Sequence, residues 1–499
     1  MSPPLTTSLR PYRPTANNPW DFQKAAHLLR RAGFGSPPED VERFVQMGID
    51  EAVDTLVRPE DTPFDFGEPE WVSAAYQLRE AGTPRTGEAR RKVREDNRRF
   101  LEAMQTWWLK RMIASPRPLE EKLTLFFHSH FATSAEKITE TLMLYEQHLL
   151  LRRMGGGPFP DLVKAVARDP AMIRFLDSES NVRGRPNENF ARELMELYTM
   201  GVGNYSEEDV SGAARAFTGW GLDRSRYRFY ADRHDTGPKD FLSRSGPFDG
   251  DDVIDIIFEQ PAAGVFLPAK LWRHFVHPSP PDELVSALGQ VFVESGFQVR
   301  DLLRTIFRSE AFYADETMGV LVKSPVQYVV GSFRQLPSRL PPDDVLRRGM
   351  TLMGQSLFQP PDVNGWVGGD TWINSNALIM RYHFAYYLTT GTLPDAFLSG
   401  RRRGSAMGEK TDTEAAAFIA MEAPANRRLA RDPGHFVDEM TRMLFGRRLP
   451  PAQRQDMIAY LGRASNGSRV VFDINKKLSQ ERVLSAVYLL MGSVDYQMC

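Results

Sequence analysis

The sequence predicts a mainly α fold: a large multi-helix globular domain with irregular Gly/Pro/Trp-rich loops, followed by a smaller C-terminal helical subdomain. Three observations predict it. Apolar residues recur at helical period in segment after segment. Strict period-two alternation with β-branched residues is scarce, and Tyr227 to Tyr230 is the best strand candidate. Hydrophobic residues make up 42% of the 499, enough for a substantial core.

Along the chain, residues 1–19 are proline-rich and are expected to form a flexible tail. Residues 20–395 form the expected main helical domain. It opens with a helix, a glycine turn and a second helix, which Ser36 is placed to N-cap with Pro37 just inside. Residues 58–86 carry prolines and acids and read as an irregular excursion. Glu88 to Ile113 reads as one long charged helix, amphipathic around Trp107, Trp108 and Met112. Its alternating signs in EARRKVREDNRR suit an exposed face better than a binding strip. A helix is expected over Glu120 to Phe127, with His128 and His130 at its end. The glycine- and charge-rich stretch after Leu393 predicts a linker at 396–412, and 413–499 reads as three or four helices.

Asn187 to Trp220 is the most informative stretch. Phe190, Leu194, Leu197 and Tyr198 form one apolar stripe at helical spacing, and Asn189, Arg192, Glu193 and Glu196 form a polar stripe on another face. Gly201 and Gly203 follow where a left-handed cap favours glycine, and Ser206 with Asp209 opens the next helix as a capping box. The polar stripe has two readings. It is a solvated face of Arg–Glu pairs, or a cleft wall in which Arg192 holds a glutamate ionised for binding or proton transfer.

These residues carry a resemblance. The segments HLLRRAGFG from His27, EKLTLFFHSHFATS from Glu121, NENFARELMELYTMG from Asn187 and DVSGAARAFTGW are joined by HDTGPKDFL from His234, KLWRHFV from Lys270 and GQSLFQPPDVNGWVGGDTWINS from Gly354. In that order they resemble the bacterial family described as domain of unknown function 1800, over about the first four-fifths of the chain. The resemblance implies a large, mostly helical protein. It also implies relatives that are often exported and often encoded beside proteins resembling alkaline-phosphatase-type hydrolases, a possible partner class. It carries over no catalytic residues.

Composition excludes several function classes. A formal charge of −2 gives no whole-protein attraction to nucleic acid or to an anionic membrane, and Arg401 to Arg403 reads as a solvated loop. The single cysteine, Cys499, excludes an intramolecular disulfide, thiolate zinc clusters and iron–sulfur centres, and is expected at an unrestrained terminus. The N-terminal segment does not read as a secretory signal, which departs from exported relatives and makes a cytoplasmic location the default expectation. No segment offers the roughly 18 apolar residues of a membrane span.

The chemistry-bearing candidates fall in three clusters. His128 and His130 share a face only if the backbone is extended. A divalent transition metal there would need further ligands, such as Glu188, Glu193 or His234 with Asp235. The competing reading makes one histidine a helix cap and the other a core residue bonded to a carbonyl. In the second cluster His234 and Lys239 are open candidates for proton transfer or anion binding, while Asp235 suits an Asx-type turn. The third is the loop from Gln359. There Trp366 and Trp372 can stack on a flat ligand, with Asp362, Asn364, Asp370 and Asn374 supplying hydrogen bonds, or the same indoles plug a core. Gly155 to Gly157 lacks the residues of a phosphate-binding P-loop, and no G-x-S-x-G elbow occurs.

Two functions follow as alternatives. One is a metal-assisted or His/Glu acid–base enzyme acting on a polar or envelope-polymer substrate, built from His128, His130, Glu188, Arg192, Glu193 and His234. The other is a non-catalytic scaffold or partner of a co-encoded hydrolase-like protein. The enzyme predicts that these segments meet in one open pocket; the scaffold predicts separate sealed networks.

Overall fold

The computed structural model describes residues 8–392 except 83, 85 and 337, and residues 431–499 except 464–466. Among these the chain is mainly α, with 21 α-helices against two two-stranded antiparallel sheets. No helix of the described residues is long and apolar enough to cross a membrane. The expected linker at 396–412, with Arg401 to Arg403, and the start of the segment expected from 413 lie outside the described residues. The chain forms two compact units: Met1–Arg13, Val53–Thr317 and Leu357–Val367 make the first, and Pro14–Ala52, Met318–Ser356 and Gly368–Cys499 the second.

The first unit is organised around the helices Gly87–Ala114, Pro118–His130 and Thr141–Met154. Their inward faces bury Trp108, Met112, Phe127 and Leu142 completely. Thr86 caps the long helix by accepting the Ala89 N–H. Two later starts carry complete capping boxes, Ser206 with Asp209 and Asp249 with Asp252. The excursion expected at 58–86 contains a ten-residue helix, Val72–Ala81. It forms because Trp71 and Val72 are buried, the Trp71 ring stacking on Phe100 at 5.3 Å. Part of the expected tail is also pinned: the Tyr12 N–H donates to the Arg308 carbonyl at 2.6 Å and its buried ring lies 5.0 Å from Tyr313.

The strand expected at Tyr227 to Tyr230 is Arg226–Phe229, antiparallel to Trp220–Asp223. A second hairpin, Lys239–Phe241 with Arg244–Gly246, was not foreseen. Both turn on two non-glycine residues of positive φ, Arg224–Ser225 and Leu242–Ser243, so neither announces itself by an Asn-Gly signature.

In the second unit the helix expected to be capped by Ser36 begins one residue later, at Pro38, and the Pro37 carbonyl accepts the first amides, from Asp40 and Val41. The C-terminal helices Pro433–Phe445, Pro451–Leu461, Lys477–Gly492 and Val494–Gln497 pack within this unit. The Tyr488 ring lies 6.1 Å from Tyr386, and the Tyr496 hydroxyl 2.8 Å from Ser332 Oγ. Cys499 is restrained, contrary to the expectation. It is buried, its N–H donates to the Leu321 carbonyl at 2.8 Å, and Arg31 donates to its carbonyl at 3.0 Å.

One buried acid in the first unit sets a pH dependence. Asp169 caps the helix Pro170–Phe175, its Oδ1 accepting from Met172 N–H at 2.9 Å and Gln147 Nε2 at 2.8 Å. Burial pushes its pKa up to about 7 from 3.8. The folded state therefore keeps a proton that the unfolded chain has lost. The stability this proton supplies is full below about pH 4 and disappears as pH rises through 7. Asp169→Asn keeps the accepting oxygen and removes the charge. It is expected to stabilise the protein at pH 8, with the gain shrinking by roughly 2 kcal/mol at pH 5. Urea unfolding at the two pH values checks this; equal effects at both would contradict it.

Candidate functional site

The helix Pro118–His130 runs through both histidines of the HSH motif, so His128 and His130 point to different sides of a regular turn. Helical hydrogen bonding persists to the end because both sides of this last turn are packed. His128 is buried against Trp108, at 5.3 Å, and Phe358, at 4.7 Å. Its Nε2 accepts the Phe358 N–H at 3.0 Å, which places its proton on Nδ1. Burial lowers its pKa to about 3. The lone pair a metal would use is thus spent on a backbone amide.

Next to it, the Ser129 hydroxyl accepts the Trp366 N–H at 3.2 Å. The Trp366 ring packs 5.7 Å from His128, so these two candidates are brought together. Gly365, at φ 77°, makes this approach feasible: a Cβ there would sit 2.2 Å from the Ser129 carbonyl oxygen.

His130 serves another network. The helix Asn189–Glu193 continues into a π-helix, Leu194–Thr199, ending near Gly201 at φ 83°. The wider winding shifts the apolar face. Met195, Thr199 and Met200 are buried, and Leu197, expected in the apolar stripe, is only half-buried. It also turns carbonyls outward to side-chain donors. His130 Nε2 donates to the Tyr198 carbonyl at 3.1 Å, and Lys270 Nζ to the Leu197 carbonyl at 3.1 Å. Burial depresses both groups, His130 well below its usual value and Lys270 to about 8. The motifs HSHF, ELYTMG and KLWRHFV therefore meet to close this π-helix.

The polar stripe on that helix faces outward. Arg192 pairs with Glu207 at 2.7 Å and with Glu188 at 3.3 Å, all three at least one-third exposed. Arg192 raises no barrier to solvent, and an exposed pair of this kind contributes little. Glu193 is half-buried, and burial, then the nearby Glu196, raises its pKa. His234 occupies a third place: its Nδ1 donates to the Thr218 carbonyl at 2.9 Å. Asp235 forms the expected turn, accepting the Gly237 N–H at 2.9 Å, and pairs with Arg215 at 2.8 Å. Lys239 is buried and closes the same turn by donating to the Asp235 and Gly237 carbonyls.

Of the other loop candidates, Asp362 and Asn364 lie in the first unit, where Asp362 Oδ1 accepts the Asn364 N–H at 2.7 Å, and the rest lie in the second. Trp372 is buried, Asp370 is exposed, and Asn374 caps the helix Ser375–Thr390 by accepting the Ala377 N–H at 2.9 Å. Among the described residues, no hydrogen bond or ring contact joins His234 to His128 or His130, or any of these to Glu188, Arg192 or Glu193. No three His, Cys, Asp or Glu side chains among them group in a way that can hold a metal ion.

Sequence reasoning missed a buried charge network in the first unit. Glu121, fully buried, accepts from Trp108 Nε1 at 2.9 Å, Arg111 Nε at 2.6 Å and Arg152 Nη2 at 3.1 Å. Arg152 Nη2 also lies 2.6 Å from His148 Nε2, which must accept from a guanidinium and is held neutral by burial, then by Arg152. Burial likewise lowers the pKa of Arg152. Glu120 and Arg152 reach from this network to a cavity of about 360 Å³. The available signals were helical spacings, Trp108 with Arg111 and His148 with Arg152, which look like ordinary amphipathic pairs.

A mainly helical fold with these motifs in place defines the class, one for which no reaction is established. The chain belongs to the family described as protein of unknown function (DUF1800), whose model matches residues 27–498 and so includes the C-terminal helices. Among curated proteins none matches the chain, nor does any solved structure.

Proposed function

We propose that this protein is a non-catalytic helical scaffold that serves as the partner of another protein, a co-encoded hydrolase-like protein being the occupant its family resemblance suggests. One observation carries this reading: His128, His130 and His234 each sit in a separate buried network, with an imidazole nitrogen committed to a backbone group. An acid–base site built on these histidines needs an imidazole that titrates near neutral pH and reaches a substrate. Here His128 and His130 are held neutral by burial, and they position the Trp366 loop and the π-helix.

The test is elemental analysis of the purified, untagged protein, after incubation with zinc, manganese or iron and removal of the excess. The expected result is a content far below stoichiometric and a melting temperature unchanged by the metals. A stoichiometric metal, absent from a folded His128→Ala/His130→Ala variant, would overturn the reading.

A further inference from the structure

The cavity beside Glu120 and Arg152 is lined both by leucines and by arginines. Leu56, Leu119, Leu123, Leu151 and Leu303, all largely buried, provide apolar surface. Arg117, Arg152, Arg153 and Arg300 provide the cations. Two of these cations are already spent. Arg300 gives both Nη groups to Glu60, at 2.6 and 3.1 Å. Arg117 donates Nε to the Thr62 carbonyl at 2.5 Å and lies 3.6 Å from Glu120.

The other two retain free capacity. Arg152 is 9% exposed and spends Nη2 on Glu121 and His148, while Nη1 makes no hydrogen bond and the buried Nε has no acceptor among the described residues. Arg153 is exposed and makes no hydrogen bond or ion pair among them. With Arg111 and Glu121 just behind the wall, five guanidiniums face three carboxylates, a surplus of two positive charges.

We infer that this cavity binds a small organic anion with a short apolar body, its head on Arg152 and Arg153 and its body against Leu56, Leu119 and Leu303. A volume of about 360 Å³ lies at the small end of ligand pockets, room for one short chain and not for a two-chain lipid. The leucines argue against free inorganic phosphate, and the arginines against a neutral hydrocarbon. Gly156 offers a way to fill the space without disturbing packing, because a Cβ there meets nothing within 4 Å and its φ is not left-handed.

The experiment is isothermal titration of the full-length protein with octyl phosphate, inorganic phosphate and octanol, beside flotation with dioleoylphosphatidylglycerol vesicles. Octyl phosphate is expected to bind saturably at one site, at least tenfold tighter than either half-molecule. Arg153→Gln and Gly156→Leu should each weaken it at least tenfold with an unchanged melting temperature. The inference is overturned by absence of saturable binding, by equal binding in both variants, or by preference for the vesicles. A metal found at His128 and His130 would overturn the scaffold reading and leave this result untouched.

Discussion

Glu121→Gln is expected to lower stability by about 3–5 kcal/mol. The carboxylate is fully buried between Arg111 and Arg152, and the amide would leave two partly desolvated guanidiniums with the 3.3 Å contact from Glu120 to Arg111 as their remaining counter-charge. It would also place an N–H₂ against donors, since all three groups that reach Glu121 donate to it. Pairing Glu121→Gln with Arg152→Met removes the excess charge, and the double variant is expected to be more stable than Glu121→Gln alone. Urea unfolding of the three variants gives the coupling directly. A cost below about 1 kcal/mol for Glu121→Gln would mean that water screens the network.

Gly365→Ala is expected to cost about 3 kcal/mol or more, from two sources acting together. The residue holds φ at 77°, where an alanine is strained by roughly 1–2 kcal/mol. The added Cβ would also meet the Ser129 carbonyl oxygen at 2.2 Å and its hydroxyl at 2.5 Å, both on the helix that carries the histidines. The loop must move off the helix, breaking the Trp366 N–H to Ser129 bond. Gly369→Ala separates the two sources, for Gly369 has φ 57° but no atom within 4 Å of its Cβ position. It should lose only the strain contribution. Equal unfolding free energies for the two variants would contradict the steric account of Gly365.

Much of the fold was legible because helices declare themselves locally. The start at Ser206 and the strand at 226–229 both rest on residues close in sequence. What was not legible depends on distant partners. The helix Val72–Ala81 forms within a proline- and acid-bearing stretch because Trp71 finds Phe100 and Tyr145. The π-helix at Leu194–Thr199 moves Leu197 off the buried face, and no spacing in ELMELYTMG marks the change of winding.

The candidate site divides the same way. His128 and His130 stood out as polar residues in an apolar run, and their burial is of a piece with that run. Which nitrogen each would commit depended on Phe358 and Tyr198, 230 and 68 residues away. The Glu121 network was hidden for a related reason: its members are ordinary surface residue types, and only packing shows that this glutamate is inside.

On the scaffold reading, His128 and His130 are structural and neutral. Selective ¹⁵N-histidine labelling with NMR titration from pH 8 to pH 5 checks this. His128 is expected to show the Nδ1–H tautomer and His130 the Nε2–H tautomer, with neither titrating in that range. A midpoint between pH 6 and 8 for either one, with the protein still folded, would mean a solvent-accessible imidazole poised for proton transfer. It would contradict the scaffold reading.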